Sequence, residues 1–445
     1  MNYRLENKEE GIVLTRNISY STEEEEKGDQ IIWVTRVNSF SENIRAGKDN
    51  YRLDDFQFSK SIITDKKPAV DYFSGSWTGR KTYKVNNTAG EIVVSFQGET
   101  VGYDNSWGNT ETQRIWGNIS FDGDVTFEEE VHHDKWSGTF HADVTYNKIK
   151  HIRYQENEPQ QISFPGGHVL VEEEDHSLKF MSELPLRDGR GLARGGWDTR
   201  RFNLNMKSAP TYERLPVHFL RDMSNHWAKG DVELLYGLGI FSGGEYFGPG
   251  APMTRGEFSR SLARALKLEI IEEKKDNNRR PQQRPRPNIQ LPWGPIGGQQ
   301  PEEEDKADAP MFIDVPDDHP YYGDIKAVND KDLIRGTGPG YFSPESPLTR
   351  AQAVATFIRA LGFEHLAPPM YSRTGFADDG RIPDWARGAV HVASDIGLVG
   401  GDRYGYFHPN QEMTRAEGAS LINRFVQYMQ DDLRKEYRDK IMGLR

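Results

Sequence analysis

YFGPGAPMTRGE at residues 246–257 returns as YFSPESPLTRAQ at 341–352 and as YFHPNQEMTRAE at 406–417. Each Tyr-Phe-x-Pro is followed at a fixed interval by Thr-Arg, as Thr254-Arg255, Thr349-Arg350 and Thr414-Arg415. Three residues after each Thr stands Glu257, Gln352 or Glu417. Upstream, Gly243, Gly336 and Gly401 each follow a short apolar stretch. Further upstream stand Asp222, Asp314 and Asp378, with Trp227 and Trp385 in two of the copies. So many coincidences in register define an internal repeat.

Each copy reads as helix, loop, helix. In copy one, Val232, Leu235 and Tyr236 form the i, i+3, i+4 stripe of a half-buried helix starting near Trp227. Gly239 follows and suits the left-handed residue past a helix end. Copy three has Gly397 there and copy two Asp332, so a different helix end is expected in copy two. The second helix begins at Thr-x-x-Glu or Thr-x-x-Gln, the capping box, in which the Thr hydroxyl and the carboxylate or amide three residues on satisfy each other's backbone N–H groups. It then buries Phe258, Leu262 and Leu266 in copy one; Phe357, Ile358 and Leu361 in copy two; and Leu421, Ile422 and Phe425 in copy three. Capping accounts for the Thr and the Glu or Gln but not for the Arg, because a cation near a helix N-terminus is mildly unfavourable. Orphan N–H groups beside an Arg make a natural carboxylate site. The bland alternative is an Arg bonded to the next copy.

These residues resemble the S-layer homology family, over 214–268, 311–363 and 376–430. The family's Thr-Arg-Ala-Glu stands here as Thr-Arg-Gly-Glu, Thr-Arg-Ala-Gln and Thr-Arg-Ala-Glu. Its Asp-Val-Pro…His-Trp-Ala stands as Asp222…His226-Trp227-Ala228, Asp314-Val-Pro…His319-Pro320 and Asp378…Asp384-Trp385-Ala386. The resemblance implies one pseudo-threefold helical unit whose grooves bind secondary cell-wall polysaccharide, commonly pyruvylated. Arg255, Arg350 and Arg415 would meet the ligand's carboxylate. Asp222, Trp227, Asp314, Asp378 and Trp385 would shape the sugar-facing loops. Copy two departs from the pattern, with Pro320 at the Trp position and Tyr321 and Tyr322 beside it, so an altered groove is expected there.

Residues 1–213 have another texture. Runs such as Gln30–Val37, Glu91–Phe96 and Gly138–Tyr146 alternate β-branched or aromatic residues with polar ones between Gly, Asn, Asp and Ser clusters. That is the pattern of antiparallel strands. Without helical stretches between them, they point to an all-β domain, sandwich or barrel-like. Residues 269–310 are rich in Pro, Gln and Glu and read as a disordered linker.

Composition bounds the function. A net charge of −12 argues against a nucleic-acid partner, which would call for a basic face. No cysteine is present, so thiolate metal sites and Cys nucleophiles are excluded. No stretch approaches the 18 apolar residues of a membrane span. The polar N-terminus lacks the apolar core of a signal peptide, so a mature or fragmentary chain is expected. Among the tryptophans of the β region, core packing is favoured over a sugar-stacking platform. Acidic clusters at Glu23–Glu26, Asp122–Asp124, Glu128–Glu130 and Glu172–Asp175 offer oxygen ligands suited to calcium, yet none has EF-hand spacing. No cofactor is expected, and metal binding is left open with calcium as the candidate. His132 and His133 point to opposite faces of a strand and do not suggest a shared ion. No nucleophile-elbow, zincin or Walker motif is present. The expected protein is a non-enzymatic, extracellular bacterial surface protein held on the wall polymer. The alternatives are a self-assembling lattice or filament subunit and a wall-anchored polysaccharide-acting enzyme.

Overall fold

The computed structural model describes residues 1–157, 166–270, 311–369 and 372–433. The expected linker at 269–310 lies outside them, except for its first two residues.

The N-terminal region is all β, and its strands follow one another around a single sheet. In chain order they are β1 (Asn2–Asn7), β2 (Ile12–Lys27), β3 (Gln30–Ala46), β4 (Asp49–Lys66), β5 (Asp71–Val85), β6 (Gly90–Asn105), β7 (Gly108–Phe127), β8 (Glu130–Gln155), β9 (Gly167–Arg187) and β10 (Ala193–Lys207). Each pairs antiparallel with the next, and a short β11 (Thr211–Arg214) pairs with the free end of β9. The alternation legible in the sequence is thus an up-and-down meander. It is neither two packed sheets nor a ring, since β1 and β10 are not hydrogen-bonded to each other. Sequence pattern places side chains on faces; it does not say which strands close on which.

Cross-strand rows explain how one sheet holds itself together. Phe58, Gly79, Phe96, Gly117 and Phe140 are successive register partners across β4 to β8. In antiparallel pairs such partners share a face. Aromatic rings lie over the glycines of the neighbouring strand: a Cβ on Gly98 would stand 2.5 Å from the Trp77 ring. Gly at these points makes room for rings that would otherwise have no second layer to pack against. The opposite face is polar, with Thr78, Arg80, Ser95, Gln97 and Glu99 exposed. On the aromatic face, Glu42 is buried, and Tyr83, Lys81 and Arg16 all donate to its carboxylate. Burial opposes its ionisation; those donors outweigh it and hold the carboxyl below its ordinary range.

The C-terminal region contains α1 (Lys229–Gly237), α2 (Arg255–Ala265), α3 (Tyr322–Asp330), α4 (Arg350–Leu361), α5 (Asp384–Asp395) and α6 (Arg415–Gln427). α2, α4 and α6 are the three second helices, and they meet at the centre. Phe357 stacks on Phe425 with centroids 4.3 Å apart and meets Phe258 edge-on at 5.5 Å. Each outer helix packs on the inner helix of another copy: α3 on α2, α5 on α4 and α1 on α6. The Gly239 and Gly397 positions are left-handed, as their sequence suggests. Asp332 does not give the different helix end expected of it. Its φ is +51°, close to that of the two glycines, because Asp tolerates this conformation better than most side chains. Its carboxylate is held by Arg335 through two bonds of 2.9 and 2.8 Å.

The sheet docks on the C-terminal ends of the inner helices. Last-turn carbonyls lack intrahelical donors, and the sheet supplies them. The Ala69 N–H donates to Ala360 O at 2.9 Å, and the Tyr72 hydroxyl to Leu361 O at 3.3 Å. Trp107 Nε1 donates to Ala265 O at 3.3 Å, and the Asn105 amide to Met429 O at 3.3 Å. Val70, Tyr103 and Trp107 join the helical core. The N-termini of the same helices, with the three Arg residues, therefore lie away from the sheet.

Candidate functional site

The three Thr-Arg segments close a ring. Met253 N donates to Met413 O, Met413 N to Leu348 O and Leu348 N to Met253 O, at 2.8–2.9 Å. These are equivalent positions in the three copies, so each copy gives one bond and takes one. The helix starts are joined by the same threefold relation, but in the opposite sense. Arg255 N donates to Ser346 O, Arg350 N to Gln411 O and Arg415 N to Ala251 O. Gly256 N donates to Pro344 O, Ala351 N to Pro409 O and Ala416 N to Pro249 O. At the next position the capping boxes act: Thr254, Thr349 and Thr414 accept from the N–H of Glu257, Gln352 and Glu417, whose side chains bond back.

This corrects one expectation. The first three N–H groups of each inner helix are not orphans awaiting an anion. Two are taken by carbonyls of the next copy and one by the cap. Sequence reading counted a helix start in isolation, whereas the repeat closes on itself.

The Arg side chains follow the same rotation. The Arg255 guanidinium lies over the Phe342 ring at 4.7 Å, Arg350 over Phe407 at 5.2 Å and Arg415 over Phe247 at 4.8 Å. The Phe of Tyr-Phe-x-Pro is thus the platform for the Arg of another copy. That pairing was missed from the sequence, although its signal was there: both residues recur in all three copies.

The three arginines then diverge. Arg255 is 5% exposed and is committed to the protein: Nε donates to Phe342 O at 3.0 Å and Nη2 to Arg335 O at 2.7 Å. Arg350 makes one such bond, Nη2 to Gly400 O at 3.2 Å, and its Nε is buried without a hydrogen-bond partner. Arg415 lies 3.6 Å from the Glu257 carboxylate, an ion pair with another copy. Burial lowers the pKa of both Arg255 and Arg350 from the ordinary guanidinium value, while Asp314 and Glu417 respectively act against the shift. Both stay cationic at neutral pH.

The three Asp residues hold the Tyr-Phe loops from below. The Asp222 carboxylate accepts from Phe247 N at 2.9 Å and Gly248 N at 2.6 Å. Asp314 takes Phe342 N and Ser343 N at 2.8 and 2.6 Å, and Asp378 takes Phe407 N and His408 N, both at 2.8 Å. Gly248, Ser343 and His408 all have positive φ, from +60° to +72°. Such a turn aims two successive N–H groups at one point, a nest for an anion. The protein's own Asp fills it. For Asp222, burial raises the pKa and the two backbone donors more than offset it, so the carboxyl stays below its ordinary range.

Trp227 and Trp385 stand on the outside, 66% and 61% exposed. Copy two is altered where expected. Pro320 replaces the Trp, and Tyr321 is pinned between the Arg260 guanidinium, 4.4 Å from its ring, and Gly256. Among the described residues no group of three or more His, Cys, Asp or Glu is placed to hold a metal. His133 instead lies 3.1 Å from Asp124.

Comparison with known proteins agrees with this geometry. The S-layer homology domain family matches at 220–259, 312–354 and 375–419. A cell surface protein of Thermoanaerobacter kivui is 31% identical over 133 residues, which is 30% of this chain and 18% of that protein. An endoglucanase of Bacillus sp. (strain KSM-635) is 30% identical over 143 residues, 31% of this chain and 14% of the enzyme. A cellulosome-anchoring protein of Acetivibrio thermocellus is 32% identical over 95 residues, 21% of each chain. The chain spans about a fifth or less of these relatives. The chain carries three S-layer homology domains between residues 220 and 419, behind an antiparallel β domain, and is a bacterial cell-surface protein.

Proposed function

We propose that the helical unit anchors the chain non-covalently by binding secondary cell-wall polysaccharide in its Arg-lined grooves, with the Arg350 and Arg415 grooves carrying the affinity. The observation that supports this is the inequality of three equivalent guanidiniums. Arg255 donates to two backbone carbonyls, while Arg350 donates to one and Arg415 makes a single ion pair. A carboxylate, as on a pyruvylated sugar, is the acceptor such a donor suits. The helix-start N–H groups are already satisfied, so the guanidinium alone meets the charge. The exposed Trp227 and Trp385 rings offer sugar-stacking faces; copy two has no equivalent. Two weak grooves on one molecule add through multivalency.

In this reading the β domain has no catalytic part. It sits on the opposite end of the inner helices from the arginines, so wall binding leaves it facing away. Calorimetric titration with a pyruvylated wall-polymer fragment tests the reading. Arg350→Ala and Arg415→Ala each weaken binding by roughly tenfold or more, as expected when a charged hydrogen-bond donor is lost. The fragment without its carboxylate binds the wild type as weakly as the variants. Equal affinity for both fragments contradicts the proposal.

A further inference from the structure

We propose that β10 is a self-association edge: two copies of this chain pair β10 to β10, antiparallel, about a two-fold axis at Asn203, and form a dimer with one continuous sheet. The inference is independent of the groove reading and needs no wall material to test.

The β10 edge is open and little guarded. β10 bonds to β9 alone, and β11 takes β9 at Val169–Glu172, past the end of β10. Among the described residues no strand pairs with the outer side of β10 between Trp197 and Lys207. A free edge presents a row of backbone donors and acceptors to any strand that reaches it. An added strand satisfies that row with main-chain bonds. The stretch from Trp197 to Lys207 holds no proline and no register shift, two of the devices that would blunt it.

Its side chains also leave apolar surface uncovered. Phe202, Leu204 and Met206 alternate along β10 onto one face and are 53%, 49% and 58% exposed. Their register partners on β9, namely Phe180, Leu178 and His176, are half-buried. The β9 residues have a neighbouring strand on each side, and the β10 residues have one on a single side. A further strand supplies the missing neighbour.

Direction and charge select the occupant. The opposite edge of the sheet does not suit. Following register partners across the sheet puts Leu204 in the row of Glu24, with β2 running parallel to β10. The Glu23–Glu26 run would then lie against the apolar residues. A second β10 does suit. A two-fold axis normal to the sheet makes the two strands antiparallel and keeps their apolar residues on the same face, an isologous contact that closes at two copies. With the axis at Asn203, Phe202 of each copy stands opposite Leu204 of the other, and Arg200 opposite Met206. On the other face Arg201 stands opposite Asn205 and Thr199 opposite Lys207. No like charges are directly opposed. An axis at Leu204 would set Arg201 opposite Lys207, so charge selects the register as well.

The helical units do not compete for this space. Lys207 shares a row with Tyr103, which joins the helical core, so the helical unit lies at that end of β10. The two-fold axis turns the second copy end for end and sends its helical unit to the opposite end of the joined sheet.

The chain has no cysteine, so a single introduced one reports on the axis. The Asn203→Cys side chain faces its own copy at the Cα separation of an antiparallel pair, about 4.5–5.5 Å, which a disulfide can bridge. Ser59→Cys, exposed on β4 and away from the edge, is the control. Under mild oxidation the full-length Asn203→Cys protein is expected to form a covalent dimer at least about tenfold faster than the control, because pairing raises the local thiol concentration. In sedimentation velocity the wild type is expected to pass from monomer to dimer as concentration rises. Phe202→Glu with Leu204→Glu opposes carboxylates across the axis and is expected to stay monomeric at concentrations about tenfold higher. Both side chains are exposed, so this variant keeps the wild-type far-UV spectrum. A wild type that stays monomeric at every concentration would overturn the proposal. So would equal cross-linking of the two cysteine variants, or a dimer that the paired glutamates leave intact.

Discussion

The Tyr321 ring of the second copy lies on Gly256 of the first, so close that a Cβ on Gly256 would stand 2.5 Å from Tyr321 Cδ2. Two departures from the repeat pattern are thereby one event. Where the other copies have Ala351 and Ala416, copy one has Gly; where copy one has the small Ala228, copy two has Tyr321. The ring uses the space that the methyl vacates. In an exposed helix Gly→Ala is expected to stabilise by about 1 kcal/mol. Here Gly256→Ala is expected to destabilise by roughly 1–3 kcal/mol through overpacking. Adding Tyr321→Ala should return part of that loss. Thermal melts of the two single variants and the double variant check it, and a Gly256→Ala variant that melts higher than wild type contradicts it.

Trp107 ties the sheet to the helical unit. It is 3% exposed, it donates to Ala265 O, and the Lys267 ammonium lies 5.2 Å from its ring. Trp107→Ala is expected to cost about 3–5 kcal/mol, the range for emptying a buried aromatic site. Chemical denaturation should then separate into two transitions, as the sheet and helices lose their shared core. A single transition at the wild-type midpoint would show that the two halves do not depend on this contact.

Asp222 predicts an acid limit for the loop of copy one. Its carboxyl is held below the ordinary value in the folded protein, so the folded state binds fewer protons than the unfolded chain as pH falls. Its stabilisation is complete above the unfolded value, near pH 4, and is lost as pH drops through the lowered native value. Asp222→Asn should be less stable than wild type at pH 7 by about 1–3 kcal/mol, the cost of disrupting a charged acceptor of two backbone N–H groups. The gap should narrow as pH falls below about 4. Melting temperature against pH for both proteins tests this, and a gap that widens in acid refutes it.

Much of this architecture is legible in the sequence because it is local. The capping boxes need only Thr and a Glu or Gln three residues on, and the strand alternation needs only the pleat. What the sequence hides is what joins one copy to another. Nothing local says that Arg350 N will donate to Gln411 O, or that the Phe407 ring will lie under its guanidinium. Nor does the motif distinguish Arg255 from Arg350, because the difference lies in which loop carbonyls reach each guanidinium. The nest that would draw an anion is likewise hidden, since Asp378 that fills it lies 29 residues before Phe407. Asp332 shows the opposite error: its left-handed helix end was available to Asp all along.

Cosedimentation with purified wall sacculi, native or acid-stripped of secondary polymer, tests the anchoring account most directly. The account predicts pelleting with native sacculi alone, and its loss in Arg350→Ala and Arg415→Ala proteins that keep the wild-type far-UV spectrum. Arg255→Ala should melt lowest of the three, because it leaves two carbonyls, Phe342 O and Arg335 O, without their donor. Pelleting that is equal with native and stripped sacculi, or unaffected by loss of both Arg350 and Arg415, would contradict polymer capture by these grooves.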